Sequence, residues 1–410
     1  MRSRTKILCV VALAAMALLS EPGAGSAATP RKFVNGWVPA WASSAVTNGS
    51  ANLAANASII SDVMPFAFSA TGTTSLVPSG SQTDLNRAVT NARDAGLTVV
   101  PSITDGTGKG VMAAILDNPT TRSQHADTIV ALVQSRGYDG IDLDYEGFAF
   151  SDGRSSWGNT RPDWVAFVQE LAGKLDANGK LLSITVPPIW TTSAGAPGYT
   201  VYDPLTILPW IDDLRLMVYD WSVSAPGPIA PMSWVNDVIA TFVAGTSADQ
   251  LSKIQLGVPT YGRNWATVTS GTCPLSAGLT TTSVLMRNAN TLAAANGATP
   301  VRHSSGELTF SWNQSFVGDR PSSTPVPVYV PPGSTSSAVA PIDLGTLKSA
   351  ARLDTVTCTV RRTVYYPDAQ AVVDRAVAAR LAGFGGIAIW ALGYESTELW
   401  PMLRFVAPPG

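Results

Sequence analysis

Eight short apolar runs, most of them followed by a stretch with helical spacing, set the narrowest limit on what this chain can fold into. The runs are Phe33 to Val38, Val63 to Phe68, Leu97 to Ile103, Tyr138 to Glu146, Leu181 to Val186, Leu214 to Trp221, Ile254 to Pro259 and Gly385 to Trp390. Between them, Leu85, Val89 and Ala92 recur at helical spacing ahead of Gly96, a natural helix stop. Further helices are expected at Val111 to Leu116, Gln124 to Ser135, Leu205 to Trp210, Trp234 to Phe242 and Ala369 to Ala382, and one starts at Pro162-Asp163 and carries Trp164, Phe167, Val168, Leu171 and Leu175. Strand and helix in alternation call for a parallel sheet. Eight such units predict the α/β class and a closed (β/α)8 TIM barrel rather than an open sheet. Chemistry in that architecture sits where strands end, and Glu146, Asp220 and Trp390 each close a predicted strand.

One interval breaks the rhythm. More than a hundred residues separate the seventh and eighth runs, far more than a barrel loop needs. The interval holds a helix pattern (Ser283 to Ala295), a strand at Glu307 to Trp312, a Pro/Ser-rich loop from Pro321 to Ala338 and an alternating strand from Val356 to Tyr366. It reads as a small α+β insertion, residues 266–370, within a catalytic barrel of residues 29–410.

The fourth run is Tyr138-Asp139-Gly140-Ile141-Asp142-Leu143-Asp144-Tyr145-Glu146, with four acids in an apolar setting. On a strand, alternate side chains share a face, so Asp142, Asp144 and Glu146 form one row while Ile141, Leu143 and Tyr145 face the other way. Like charges at that spacing resist full ionisation, so at least one acid should hold a proton near neutrality, as a general acid must. Asp139 has the opposite parity and is assigned a structural role at the strand's start. A cation cage is the alternative use of such a cluster.

The composition is that of a globular protein, with 45% hydrophobic and 14% charged residues, and the formal charge of −2 offers none of the basic balance of nucleic-acid binders. Arg2, Arg4 and Lys6 precede an apolar run, Ile7 to Leu19, and then small residues through Ala28. Residues 1–28 therefore read as a secretory signal peptide, with an uncleaved anchor as the alternative; the run is short for a membrane span. In an exported chain the two cysteines beyond that run, Cys273 and Cys358, are expected to form a disulfide within the insertion, two buried thiols being the other reading. With only His125 and His303 in the chain and no ligand spacing around either, no metal site is expected, and none of the chemistry asks for a cofactor.

Four motifs, in order, resemble those of glycoside hydrolase family 18, the chitinase-like enzymes. Asp139 to Glu146 matches the family's D-x-x-D-x-D-x-E at every acid, and Met217-Val218-Tyr219-Asp220 resembles its M-x-Y-D. Gly257-Val258-Pro259-Thr260-Tyr261-Gly262-Arg263 resembles its seventh-strand segment, and Gly385 to Trp390 its eighth strand with the floor tryptophan. The resemblance covers essentially the whole chain beyond the leader. It implies a retaining, substrate-assisted mechanism outside the two-carboxylate scheme. Glu146 would be the acid, Asp144 would orient the substrate's acetamido group, and Asp142 would back Asp144 and share its proton. Tyr219 and Asp220 would hold the acetamido group in its attacking pose, and Trp390 would form the floor. Met217, Tyr261 and Phe68 join the expected substrate-binding set, with Trp37, Trp41, Phe66, Trp190, Trp221 and Trp265 as further aromatic candidates near strand ends. The expected partner is an N-acetylglucosamine-containing polysaccharide, with no nucleic acid or membrane, acted on by a monomer. Chitin is the commonest target. The stretch Trp390 to Glu395 also resembles family members that cut peptidoglycan, spore-cortex enzymes among them, and a catalytically silent lectin is the alternative of another class.

Overall fold

The computed structural model describes residues 32–191, 198–321 and 353–407. The expected leader and nearly all of the Pro321 to Ala338 loop lie outside those residues.

In chain order the strands are β1 (Val34–Pro39), β2 (Ile60–Gly72), β3 (Ser75–Pro78), β4 (Thr98–Val99), β5 (Ser102–Asp105), β6 (Gly140–Asp144), β7 (Leu181–Val186), β8 (Asp213–Leu216) and β9 (Ile254–Pro259). They are followed by β10 (Tyr261–Gly271), β11 (Thr282–Leu285), β12 (Val301–Arg302), β13 (Leu308–Pro321), β14 (Leu353–Tyr366) and β15 (Gly386–Trp390). Parallel pairing runs β1-β15-β9-β8-β7-β6-β5-β2 and returns from β2 to β1, which closes the eight-stranded (β/α)8 barrel. The third strand position is split into β4 and β5 because Pro101 between them has no N–H to give to the ladder. Ile141, Leu143, Ile184, Leu214, Leu256 and Ile387 face outward into the layer between sheet and helices and are fully buried there.

Most helices fall where apolar spacing placed them, but the one expected from Gln124 starts at Pro119, and the one expected from Ser283 starts at Met286, after β11. The helix expected to start at Pro162 begins five residues earlier and runs Trp157–Asp176, with Pro162 inside it. The proline leaves the Gly158 carbonyl without its helical partner, and Gly158 is exposed, so water can serve it. Trp164 is fully buried and donates its indole N–H to Tyr202 O at 3.0 Å, the structural role its spacing suggested.

The insertion leaves the barrel directly after β9. Its antiparallel sheet has the order β11-β10-β14-β13-β12, and the helix Met286–Ala295 packs on it around Val284, Ala289, Ala293, Phe310, Val364 and Tyr366. A disulfide joins Cys273 and Cys358, with 4.9 Å between their Cα atoms. The sheet is fixed to the barrel at Glu307, whose carboxylate accepts the backbone N–H groups of Ile229 (2.8 Å) and Ala230 (2.7 Å) and pairs with Arg375 at 3.1 Å. Glu307 and Arg375 are both fully buried. Because Trp221 N donates to Ile229 O, this clamp also holds the segment that follows β8.

Candidate active site

β6 is buried along its whole length, and the acid row becomes more accessible toward its C-terminal end. Asp142 is completely enclosed. Its Oδ1 accepts from Ser183 Oγ (2.5 Å), Thr185 Oγ1 (2.9 Å) and Arg215 Nη1 (3.2 Å), and its Oδ2 from Ser102 Oγ (2.7 Å) and Trp37 Nε1 (3.1 Å). Asp144 is 3% exposed, and its Oδ1 is buried without a hydrogen-bond partner. Burial first, then the charges of Glu146 and Asp142, push the Asp144 carboxyl well above the usual carboxylate range. Glu146 lies just past the strand end, half-buried; burial and the charge of Asp220 raise it to about 7. The row therefore holds a proton near neutrality, as like charges at that spacing require.

The bonds of the Asp142 carboxylate run to two hydroxyls of β7, one of β5, the Trp37 indole and a buried arginine. The eight-residue motif could not reveal those partners, since they come from four other strands.

Asp139 immediately precedes β6. Its Oδ2 accepts from Val99 N at 2.8 Å, and its backbone bonds to Val99 and Leu181 tie the start of β6 to both neighbouring strands.

Beyond β8, Asp220 adopts a positive φ of 59°. Its Oδ1 accepts from Tyr261 Oη (2.5 Å) and from Arg263 Nη2 (2.8 Å), both on β10. Tyr219 lies alongside, its phenol pushed well up by burial. It has room because Gly257 lacks a Cβ: one there would come within 2.3 Å of Leu216 O and 3.1 Å of the Tyr219 ring. Trp390 ends β15, followed by a cis peptide to Ala391. Thr260 N and Oγ1 bind Trp390 O (2.8 Å) and Ala391 O (2.9 Å), and Phe66, Trp37 and Trp41 pack around its ring with centroids 5.0, 5.9 and 6.2 Å away.

These groups bound a cleft of two lobes. Trp37, Trp41, Phe66, Thr104, Asp144, Thr185, Tyr261 and Trp390 line one, of about 280 Å³. The other, of about 290 Å³, is walled by Phe150, Pro187, Pro188, Trp190, Tyr199, Trp221 and Trp234. Glu146, Met217, Tyr219 and Asp220 belong to both and mark the boundary. Phe150, Tyr199 and Trp234 carried no sequence signal, because each reaches the cleft from a loop or helix start with no motif around it.

Two expected aromatics do not reach the cleft. Phe68 is 2% exposed and packs against Tyr138 at 6.2 Å in the layer between sheet and helices. Simple alternation would put it on the same face as Phe66. A register shift on β2 between Phe66 and Phe68 adds a residue, so the two rings face opposite ways. Trp265 is buried on the insertion side, with its Nε1 donating to Val223 O at 3.0 Å.

Among the described residues no cluster of His, Cys, Asp and Glu is arranged to hold a metal, and no helix is long and apolar enough to cross a membrane.

Comparison with known proteins agrees with this geometry. "Putative sporulation-specific glycosylase YdhD" of Bacillus subtilis is 32% identical over 175 residues, 41% of this chain and 39% of that protein. Chitinase A1 of Niallia circulans is 28% identical over 170 residues, 35% of this chain and 24% of its own length. The chain thus matches well under half of either relative. Among solved structures, a chitinase from Chromobacterium violaceum superposes with a TM-score of 0.66 at 20% identity, covering 92% of this chain and 98% of that one. The spore cortex-lytic enzyme SleL of Bacillus megaterium gives 0.65 at 17%, covering 92% and 74%. The sequence profile of glycosyl hydrolases family 18 matches residues 38–395, and the chain belongs to that family of chitinase-like glycoside hydrolases.

Proposed function

We propose that this protein is an exported, retaining hydrolase that cleaves β-1,4 linkages beside N-acetylglucosamine in chitin and its oligomers, with the substrate's own acetamido group as nucleophile. The observation that carries this reading is the buried, unpartnered Oδ1 of Asp144, beside the lobe floored by Trp390. A buried acceptor left unpaired is costly, and an acetamido N–H supplies the missing donor. Held there, the acetamido carbonyl oxygen attacks the anomeric carbon as the glycosidic bond breaks. The leaving oxygen takes the proton of Glu146, and an oxazolinium ion forms. Glu146, now a carboxylate, takes a proton from the water that opens the ion, which returns the same anomeric configuration. Tyr219 and Asp220 steady the acetamido group, and Trp390 positions the ring from below.

The second lobe supports a neutral leaving sugar. Among the described residues its lining is aromatic and apolar, with Glu146 and Asp220 its only acids and no basic side chain. Arg154, whose charge reaches Tyr199, stacks over Trp157 at 4.6 Å and is outside the lining. Peptidoglycan, the reading favoured by the similarity to the sporulation-specific glycosylase, would place a sugar bearing a lactyl carboxylate in this lobe, whose lining offers it no basic side chain among the described residues. The basic leader run and the Cys273–Cys358 disulfide support export to an oxidising compartment. Purified protein assayed side by side on chitin oligomers and on muropeptides tests the assignment: faster cleavage of the oligomers is expected, and cleavage of muropeptides alone would replace chitin with peptidoglycan.

A further inference from the structure

We infer that Tyr202 is a positioning residue for Glu146: its phenolic hydroxyl holds the carbonyl of the peptide bond that leads into the acid, and so aims the carboxyl at the boundary between the two lobes. The inference rests on the reading of Glu146 as the acid for its kinetic consequences and on geometry for its substance.

The pairing of β6 with its neighbours ends at Leu143 on one side and Asp144 on the other, so Tyr145 and Glu146 continue past the strand end without the ladder to hold them. After Glu146 the chain is held by a turn, in which the N–H groups of Ala149 and Phe150 donate to Glu146 O at 3.1 and 3.2 Å. Before Glu146 the holding group is Tyr202, which donates its phenolic hydrogen to Tyr145 O at 2.5 Å. Both tyrosines are buried, and a buried phenol and a buried carbonyl each need a partner; here they serve each other. The ring of Tyr145 is fixed as well. Its Oη lies 2.7 Å from His125 Nε2, and His125 Nδ1 lies 2.9 Å from Thr73 O. A carbonyl can only accept, so Nδ1 carries the hydrogen; burial favours the neutral imidazole, and Tyr145 Oη donates to Nε2. Because a peptide unit is planar, fixing the Tyr145 carbonyl fixes the direction in which the chain enters Glu146. Tyr202 is braced in turn: Trp164 binds its carbonyl through the indole N–H and stands edge-on to its ring, with centroids 5.8 Å apart, and Phe148 packs on it at 6.0 Å. Tyr202 ends the short turn Thr200–Tyr202, and Tyr199, the residue before that turn, lines the second lobe. The segment that walls the lobe for the leaving sugar therefore also carries the hydroxyl that aims the acid.

The test is Tyr202→Phe, which removes one oxygen and keeps the ring between Trp164 and Phe148. A chitooligosaccharide is compared with a dinitrophenyl glycoside of the same acetylated sugars, whose phenolate departs without taking a proton. On the oligosaccharide kcat should fall by about 10- to 100-fold with KM little changed, while kcat on the dinitrophenyl glycoside should stay within about twofold of wild type. General damage to the site would slow both, so an equal loss on the two substrates, or a loss on neither, overturns the proposal. The hydrogen bond is read separately. Tyrosine labelled with carbon-13 at the carbonyl, combined with glutamate labelled with nitrogen-15, marks Tyr145-Glu146 and Tyr394-Glu395, the two Tyr-Glu pairs of the sequence. In Tyr202→Phe one carbonyl signal should move and the other stay, and two unmoved signals overturn the bond. Should Tyr202→Phe fail to fold, p-aminophenylalanine in place of Tyr202 keeps the ring with a weaker donor. The same selective loss on the oligosaccharide, smaller in size, is then expected, and equal behaviour on both substrates counts against Tyr202. Wild type inactive on both glycosides would sink the substrate assignment while leaving the carbonyl signal to decide whether Tyr202 holds the acid's segment.

Discussion

Tyr261 donates its phenolic hydrogen to Asp220 across 2.5 Å, and so ties the first strand of the insertion to the residue that follows the sixth barrel strand. Arg263, two residues further along β10, binds the same Asp220 oxygen. The insertion thus supplies two of the groups that set the position of Asp220, whose charge in turn raises Glu146.

That link gives a pH prediction with a definite sign. Glu146 must be protonated to act as an acid, so activity should fall as pH rises through about 7, where burial and Asp220 hold its carboxyl. Asp220→Asn removes the smaller of those two causes. The alkaline limb of kcat/KM should move to lower pH but stay above the ordinary glutamate value, because burial persists. The pH–rate profile on a neutral oligosaccharide reads this directly, and a limb that moves upward contradicts the assignment.

Glu146→Gln keeps the shape of the side chain and removes its proton. With its acid gone, kcat should drop by about 10²- to 10⁴-fold while Tm and far-UV circular dichroism stay as in wild type. A variant that turns over at the wild-type rate would remove Glu146 from the mechanism.

Phe68 and Asp142 mark where the sequence was legible and where it was not. Strand order, barrel closure and the positions of Glu146, Asp220 and Trp390 followed from local periodicity, because apolar alternation and strand ends are written in contiguous residues. Phe68 turned away from the cleft because of one extra residue in β2, a register event that has no composition of its own. The partners of Asp142 are distant in sequence and meet only when the barrel closes, so Arg215 looked like one more residue in an apolar run. The Trp157–Asp176 helix began before Pro162 for a related reason: whether a proline ends a helix depends on whether its orphaned carbonyl reaches solvent.

Glu307→Gln tests the anchor between insertion and barrel. It leaves Arg375 buried without its counter-charge, and such a loss costs about 3 to 5 kcal/mol. Thermal melting should show a lowered midpoint. Since the same carboxylate holds Ile229 and, through it, Trp221, KM for long oligomers should also rise; an unchanged midpoint would mean that the clamp is dispensable.

Replacing Cys273 and Cys358 together with alanine opens a link between residues 85 positions apart. Chain-entropy reasoning puts the loss at about 4.6 kcal/mol, as an upper value. Hydrogen exchange should quicken first in β10, β13 and β14, with the barrel strands least affected. Uniform loss of protection through the barrel would show that the insertion is not a separate unit of stability.

The central claim is that half of the catalytic machinery arrives with the substrate, in the acetamido group received by Asp144 and Tyr219. The most direct measurement compares hydrolysis of N-acetylglucosamine oligomers with that of the fully deacetylated oligomers of the same length. The account predicts cleavage of the acetylated series and none of the deacetylated one. Comparable rates on both would mean that a protein group or water is the nucleophile, and would contradict the mechanism proposed for this site.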